Sequence, residues 1–143
     1  MALSSDDIFK RVIIAGGRDF SFERHYVLLK NQMDLLVAEF GKPLEIVSGC
    51  ARGADSLGER YAKENDINIV RFQADWKNEG TRAGIARNID MGNYGDMLVA
   101  FWDGESRGTK HMIEFAGKRG LPIVVITYKN NNNNGSTPVS GIR

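Results

Sequence analysis

Apolar residues in this chain occur in two arrangements: short dense runs, and longer stretches where they recur every three or four positions. Arg11-Val12-Ile13-Ile14-Ala15 is a dense, β-branched run stopped by Gly16-Gly17, the pattern of a strand buried on both faces. Residues 23–40 then place Tyr26, Leu29, Met33, Leu36, Val37 and Phe40 at helical spacing before Gly41, which predicts an amphipathic helix with a glycine stop. The alternation repeats. Residues 44–48 form a second apolar run ending at Gly49, and Ala54, Leu57, Tyr61 and Ala62 mark the buried stripe of the next helix. Residues 67–72 predict a third strand, followed by a loop with Asp75 and Trp76 and a helix over residues 81–91, in which Ile85 and Ile89 lie one turn apart. The most apolar run, residues 97–102, ends at Asp103-Gly104; a helix over residues 108–119 and a fifth strand over residues 121–126 complete the pattern.

Strands that alternate with helices specify an α/β fold, because parallel neighbours need a crossover connection. The expected architecture is a Rossmann-like three-layer α/β/α sandwich with a mainly parallel five-stranded sheet. A length of 143 residues fits one domain, read as an N-terminal extension over 1–9, a folded unit over 10–128 and a low-complexity polar tail over 129–143 with the run from Asn130 to Asn134. Hydrophobic residues at 42% and charged residues at 26% exclude a largely disordered chain. A net charge of +1 excludes a general nucleic-acid coat or polybasic membrane binder, so any anion site must be local.

The single cysteine, Cys50, excludes an intrachain disulfide framework and a thiolate-rich zinc site, and reads as a small buried residue in a reducing setting. Two histidines without metal-ligand spacing lead us to expect no metal and no cofactor. Of these, His25 has no evident partner. No run is long enough to span a bilayer, and Met1 to Lys10 carries Asp6 and Asp7 where a signal peptide would be basic, so a cytoplasmic location is expected.

Sixteen glycines stand beside three prolines, and several of them follow predicted strands, the edge where open parallel sheets hold ligands. The first such loop contains Gly16, Gly17, Arg18 and Asp19; it reads equally as a plain turn or as a backbone approach with an arginine fork for phosphate. The second carries Ser48, Gly49, Arg52, Gly53 and Asp55 into a helix, whose free amides and dipole suit an anion. Asp55 is either a first-turn cap or a hydrogen-bond acceptor for a sugar hydroxyl. The third runs from Trp102, Asp103 and Gly104 to Ser106, Arg107, Gly108 and Thr109, and departs from the GxxxxGK[ST] pattern, which disfavours P-loop ATP hydrolysis. Arg82 reads as solvated, while Arg87-Asn88 turn toward the ligand edge if Ile85 and Ile89 face the sheet. Trp76 and Trp102 can stack on a base, Trp102 being as readily a packing residue.

Together, Gly16-Gly17-Arg18-Asp19-Phe20, the stretch from Ser48 to Asp55, Ala74-Asp75-Trp76, Ala83-Gly84 with Arg87-Asn88, and Ala100 to Gly104 followed by Ser106 to His111 resemble the DUF2493, or YspA-like, family of the SLOG superfamily. The resemblance covers residues 11 to 127 and implies a Rossmann-like pocket for a nucleotide or nucleotide-derived ligand. The Ser48 to Asp55 stretch is similar to the SGxARGxD motif of DprA proteins, which bind single-stranded DNA; Gly108-Thr109 looks like part of the PGGxGTxxE motif of LOG-type phosphoribohydrolases, with Arg87 paralleling their upstream arginine. Two departures from the LOG pattern matter: Asp103-Gly104 replaces Pro-Gly-Gly, and Met112 stands where the glutamate would be. Glu114 lies two residues later, about 200° further round a helix, so it cannot simply inherit that role.

The leading expectation is binding of a nucleotide-derived small molecule for sensing, sequestration or processing, through glycine-loop amides and Arg18, Arg52 and Arg107. The alternative is N-glycosidic cleavage of a nucleoside monophosphate, which needs a carboxylate near the sugar; the catalytic candidates are Asp19, Asp55, Arg87 and Glu114, with Asp75 and Asp103 as further carboxylates. His111 is either a helix-surface residue or a proton donor to the leaving base. Single-stranded DNA binding is disfavoured by the balanced charge and few exposed aromatics. A homo-oligomer is expected from the resemblance, with Met112 or Phe115 on the packing surface.

Overall fold

A computed structural model describes residues 8–129; most of the expected N-terminal extension, and the Asn-rich tail beyond Lys129, lie outside the described residues. In chain order the elements are β1 (Arg11–Gly16), α1 (Glu23–Phe40), β2 (Glu45–Ser48), α2 (Ala54–Glu64), β3 (Asn68–Arg71), α3 (Trp76–Glu79), a 3-10 turn (Gly80–Arg82), α4 (Ala83–Tyr94), β4 (Met97–Trp102), α5 (Arg107–Lys118) and β5 (Ile123–Thr127). The sheet order is β3-β2-β1-β4-β5, and every pairing is parallel. This is the doubly wound Rossmann-like fold expected from the alternation.

Successive strand residues point to opposite faces, and each face has its own core. Val12, Ile14, Ile46, Val99 and Phe101 pack with Leu29 and Met33 of α1 and Tyr61 of α2. Ile13, Ala15, Val47, Leu98 and Ala100 pack with Met91 of α4 and Met112 of α5. The dense apolar runs are therefore two interleaved half-cores. Because α1 leaves β1 toward one layer and α5 leaves β4 toward the other, the chain diverges between these adjacent strands at their carboxyl ends. A crevice opens there.

Some local expectations change. The loop around Asp75 and Trp76 contains a short helix, α3, because the Asp75 carboxylate accepts from the Asn78 amide and caps it. Strand β5 begins at Ile123, two residues later than expected, since Pro122 has no N–H to contribute to the ladder. The Ile85/Ile89 pair does not form the buried face of α4: Ile85 is 50% exposed, while Ala83, Asn88, Met91 and Gly92 are buried. Gly92 explains this rotation, because the Phe115 ring of α5 sits where a β-carbon would be. Phe115 is thus used within the chain, and Met112 is core rather than an association surface. His25 is also buried; it stacks on Phe20 and accepts from the Phe22 amide through Nδ1. Cys50 is only half-buried, in a left-handed turn with φ of 66°.

Candidate functional site

A cleft of about 850 Å³ occupies the carboxyl edge of the sheet, between the loops after β1, β2 and β4 and the start of α4. Its walls are held by local contacts that begin with glycine. Gly53 has φ of 84°, and a β-carbon there would lie 2.3 Å from the Gly17 carbonyl oxygen. That same carbonyl accepts from the Ala54 amide at 3.1 Å, which locks the β1 loop onto the first turn of α2. Gly53 therefore joins two loops beneath the cleft and does not line it.

The lock brings Arg18 and Arg52 to the same cleft. Both are exposed, and neither has an ion pair or hydrogen bond among the described residues. Arg87 reaches across from α4 and donates through Nη1 to the Gly49 carbonyl at 3.0 Å, whereas its buried Nε has no partner. The approach requires Gly49, because a β-carbon there would meet Asp55 Oδ2 at 2.9 Å and Arg87 Cδ at 3.0 Å.

Asp55 faces the cleft and is 6% exposed. Its Oδ2 accepts from the Ala51 amide at 3.1 Å. Burial pushes this carboxyl up from an ordinary 3.8 to about 6, against the pull of the Ala51 amide and the Arg87 charge. Asp55 makes no side-chain cap to the amides of α2; it braces the turn before that helix through Oδ2, and its carboxyl lines the cleft. Asp19, a second carboxylate on the lining, accepts from the Tyr128 hydroxyl at 2.6 Å.

The β4 loop is organised by its own side chains. Asp103 Oδ1 accepts from the amides of Glu105 and Ser106, both at 2.8 Å. Ser106 caps α5 by accepting from the Thr109 amide, and its hydroxyl also contacts that of Thr109 at 3.2 Å. The amides of Arg107 and Gly108 have no acceptor among the described residues, which leaves the helix start polarised for an anion. Asn88 Nδ2 donates to the Gly108 carbonyl and lies 3.2 Å from His111 Nδ1. With both amide hydrogens so used, a neutral His111 carries its proton on Nε2. Trp76, Ile85, Met91 and Met112 add an apolar wall; Trp76 is 48% exposed at the mouth, with its indole against Gly84.

The structure thus gathers Gly16, Gly17, Arg18 and Asp19, then Arg52, Asp55, Trp76, Arg87 and Asn88, and finally Asp103, Ser106, Arg107, Gly108 and Thr109 around one cleft. Gly49 lines an adjoining side cavity. Other expected site residues lie elsewhere. The Ser48 hydroxyl is buried on Glu59, Asp75 is a helix cap, and the Trp102 indole donates to the Ser106 carbonyl as a brace. Gly104, at φ of 89°, turns the loop outside the lining. Glu114 is exposed on α5, away from the cleft, as its angular position foretold. The cleft position of His111 and the apolar wall from α4 and α5 were the parts that sequence reasoning underweighted; the Asn88–His111 contact spans two helices and leaves no local signature.

Among the described residues, no group of three or more His, Cys, Asp or Glu side chains is arranged to hold a metal ion, and no helix is long and apolar enough to cross a membrane.

Residues 10–78 match the sequence profile of the YspA, cpYpsA-related SLOG family. The chain is 36% identical over 121 residues to the gene 61 protein of Mycobacterium phage D29, a match spanning 80% of this chain and 94% of that protein. Among solved structures, DNA processing protein A (DprA) from Streptococcus pneumoniae shares the fold with a TM-score of 0.61 at 16% identity, over 90% of this chain. The match covers 53% of DprA, so this chain spans about half of that protein.

Proposed function

The chain belongs to the YspA, cpYpsA-related SLOG family, and from that premise we propose that its carboxyl-edge cleft binds a nucleotide-derived small molecule. The observation that carries this reading is the convergence of Arg18, Arg52 and Arg107, none of them paired within the described residues, on a cleft that also holds free helix-start amides and a buried carboxyl. Unpaired arginines and free amides are complementary to phosphate. Asp55 and Asp19 suit sugar hydroxyls, and the wall of Trp76, Ile85 and Met91 suits the face of a base. The unit that does this is residues 10–128. Calorimetry against nucleoside mono- and diphosphates, ADP-ribose and cyclic nucleotides tests the reading: at least one binds, and Arg52→Ala weakens it. No binding by any of them, with Arg52→Ala inert, overturns it.

A second reading, N-glycosidic cleavage, is favoured by one specific observation. Asp55 is a cleft carboxyl that burial raises to about 6, a value suited to a group that hands over a proton, and Asp19 and Asp103 line the same cleft. His111 adds a donor for the departing base. Release of free base from a nucleoside monophosphate, lost in Asp55→Asn, is the expected result; no release from any nucleotide argues against cleavage. Single-strand DNA binding draws on the SGxARGxD-like stretch from Ser48 to Asp55 and on a likeness of fold to DprA, and the balanced charge disfavours it.

A further inference from the structure

The large cleft opens beside a side cavity of about 350 Å³. Arg18, Arg52, Arg87 and Trp76 line both spaces, and Gln73 and Ala74 line the side cavity alone. The charges are divided unequally. No aspartate or glutamate lines the side cavity, whereas Asp19, Asp55 and Asp103 all face the large cleft. Arg87 lines both spaces with its Nη1 held on the Gly49 carbonyl. The free amides of Arg107 and Gly108 belong to the large cleft only. Two cationic regions are therefore present, one at the start of α5 and one at the arginine wall, and the carboxylates belong to the space between the strand-end loops.

The two regions are built from different groups, Arg107 with the α5 amides in one and Arg18, Arg52 and Arg87 in the other. We propose that the side cavity is a second anion subsite, and that the ligand class is a nucleotide carrying two phosphoryl groups on different positions of its sugar, as in a nucleoside 3′,5′-bisphosphate. This rests on the nucleotide reading above. One phosphoryl group meets the α5 amides and Arg107, the sugar hydroxyl meets Asp55, and the second phosphoryl group meets Arg18, Arg52 and Arg87 through the unused guanidinium hydrogens.

The test is calorimetry of the full chain with the four ribonucleoside 5′-monophosphates and the corresponding 3′,5′-bisphosphates at fixed ionic strength. The second phosphate is expected to tighten binding by at least about tenfold, the scale of a charge-assisted pair. Ala74→Glu places a carboxylate in the side cavity, outside the large cleft; it should bring the ratio close to one, with a much smaller loss of monophosphate affinity than of bisphosphate affinity. Gln73→Glu serves the same purpose if Ala74→Glu does not melt cooperatively. Monophosphate binding with no gain from the second phosphate overturns the subsite and leaves the nucleotide reading standing. An equal loss of both ligands in the glutamate variants also overturns the subsite. If neither ligand class binds, the subsite falls, and the nucleotide reading falls with it when the diphosphates, ADP-ribose and cyclic nucleotides also fail to bind.

Discussion

Arginines on the flank of the α1–α2 layer and arginines at the carboxyl edge of the sheet behave oppositely. On the flank, Arg60 donates to Glu23 and Glu64 and lies over the Tyr26 ring at 3.7 Å. Arg71 is similarly held by Glu59, which also accepts from Ser48. At the edge, Arg18, Arg52 and Arg107 have no carboxylate, although Asp19, Asp55 and Asp103 line the same cleft. Those three aspartates are occupied by Tyr128, the Ala51 amide and the Glu105 and Ser106 amides. The chain has acidic side chains to spare there and directs them at its own donors, so the edge keeps a local positive character despite a net charge of +1. On the reading proposed above, these unpaired cations are the groups that meet an outside anion.

The contrast can be broken most forcefully from below. Gly53→Val introduces a β-branched side chain at φ of 84° against the Gly17 carbonyl; it should cost more than about 3 kcal/mol, visible as a large drop in denaturation midpoint, and should separate the two arginine-bearing loops. A Gly53→Val protein as stable as the parent would refute the interlock.

Next in size is Asp55. Its folded value of about 6 stands above the ordinary 3.8. At pH well below 4 the carboxyl is protonated in both states and its burial carries no ionisation penalty. As pH rises toward 6 the unfolded chain ionises first, so stability falls, and the penalty is complete above the folded value. Asp55→Asn should therefore stabilise the protein by on the order of 2 kcal/mol at pH 8 and hardly at all at pH 4. Thermal melts of both proteins across this range check it, and a pH-independent difference would contradict the burial account. The same protonation removes a negative charge from the cleft, so an anionic ligand should bind more tightly as pH falls through 6.

The comparison itself is sharpened by a matched pair. Arg52→Ala should weaken nucleotide binding by about 2 kcal/mol while leaving stability unchanged, because its guanidinium has no internal partner to lose. Arg60→Ala should do the reverse, with a small fall in melting temperature and no change in affinity, as an exposed ion-pair network is worth little. Equal effects of the two on binding would erase the distinction. The smallest expected effect is that of Tyr128→Phe, which deletes the hydrogen bond to Asp19 and should cost about 1 kcal/mol of stability in a denaturant melt.

Much of the fold was legible in the chain because the relevant forces are local and periodic. The run from Val12 to Ala15 and the stripe from Tyr26 to Phe40 each report burial through spacing alone, and the structure places them as strand and helix. The orientation of α4 was not legible from Ile85 and Ile89. Ile85 is more hydrophobic than Gly92, yet Gly92 is buried, because close approach to Phe115 needs a missing β-carbon more than it needs an apolar one. The strand-end glycines were correctly located, but Gly53 and Gly49 serve chain-to-chain and side-chain approaches as much as any ligand.

Element order and the edge at which the loops gather followed from hydrophobic periodicity and crossover handedness, which act on neighbours in sequence or on whole elements. The pairing state of each charge did not. Arg18 and Arg60 are the same residue type; Arg60 is bound by Glu64 one helical turn away and by Glu23, 37 residues away, while Asp19, next to Arg18, turns to Tyr128, 109 residues away, and leaves Arg18 unpaired. Such contacts join distant segments at distances set by side-chain geometry, so the chemistry of the cleft arises only when the chain has folded.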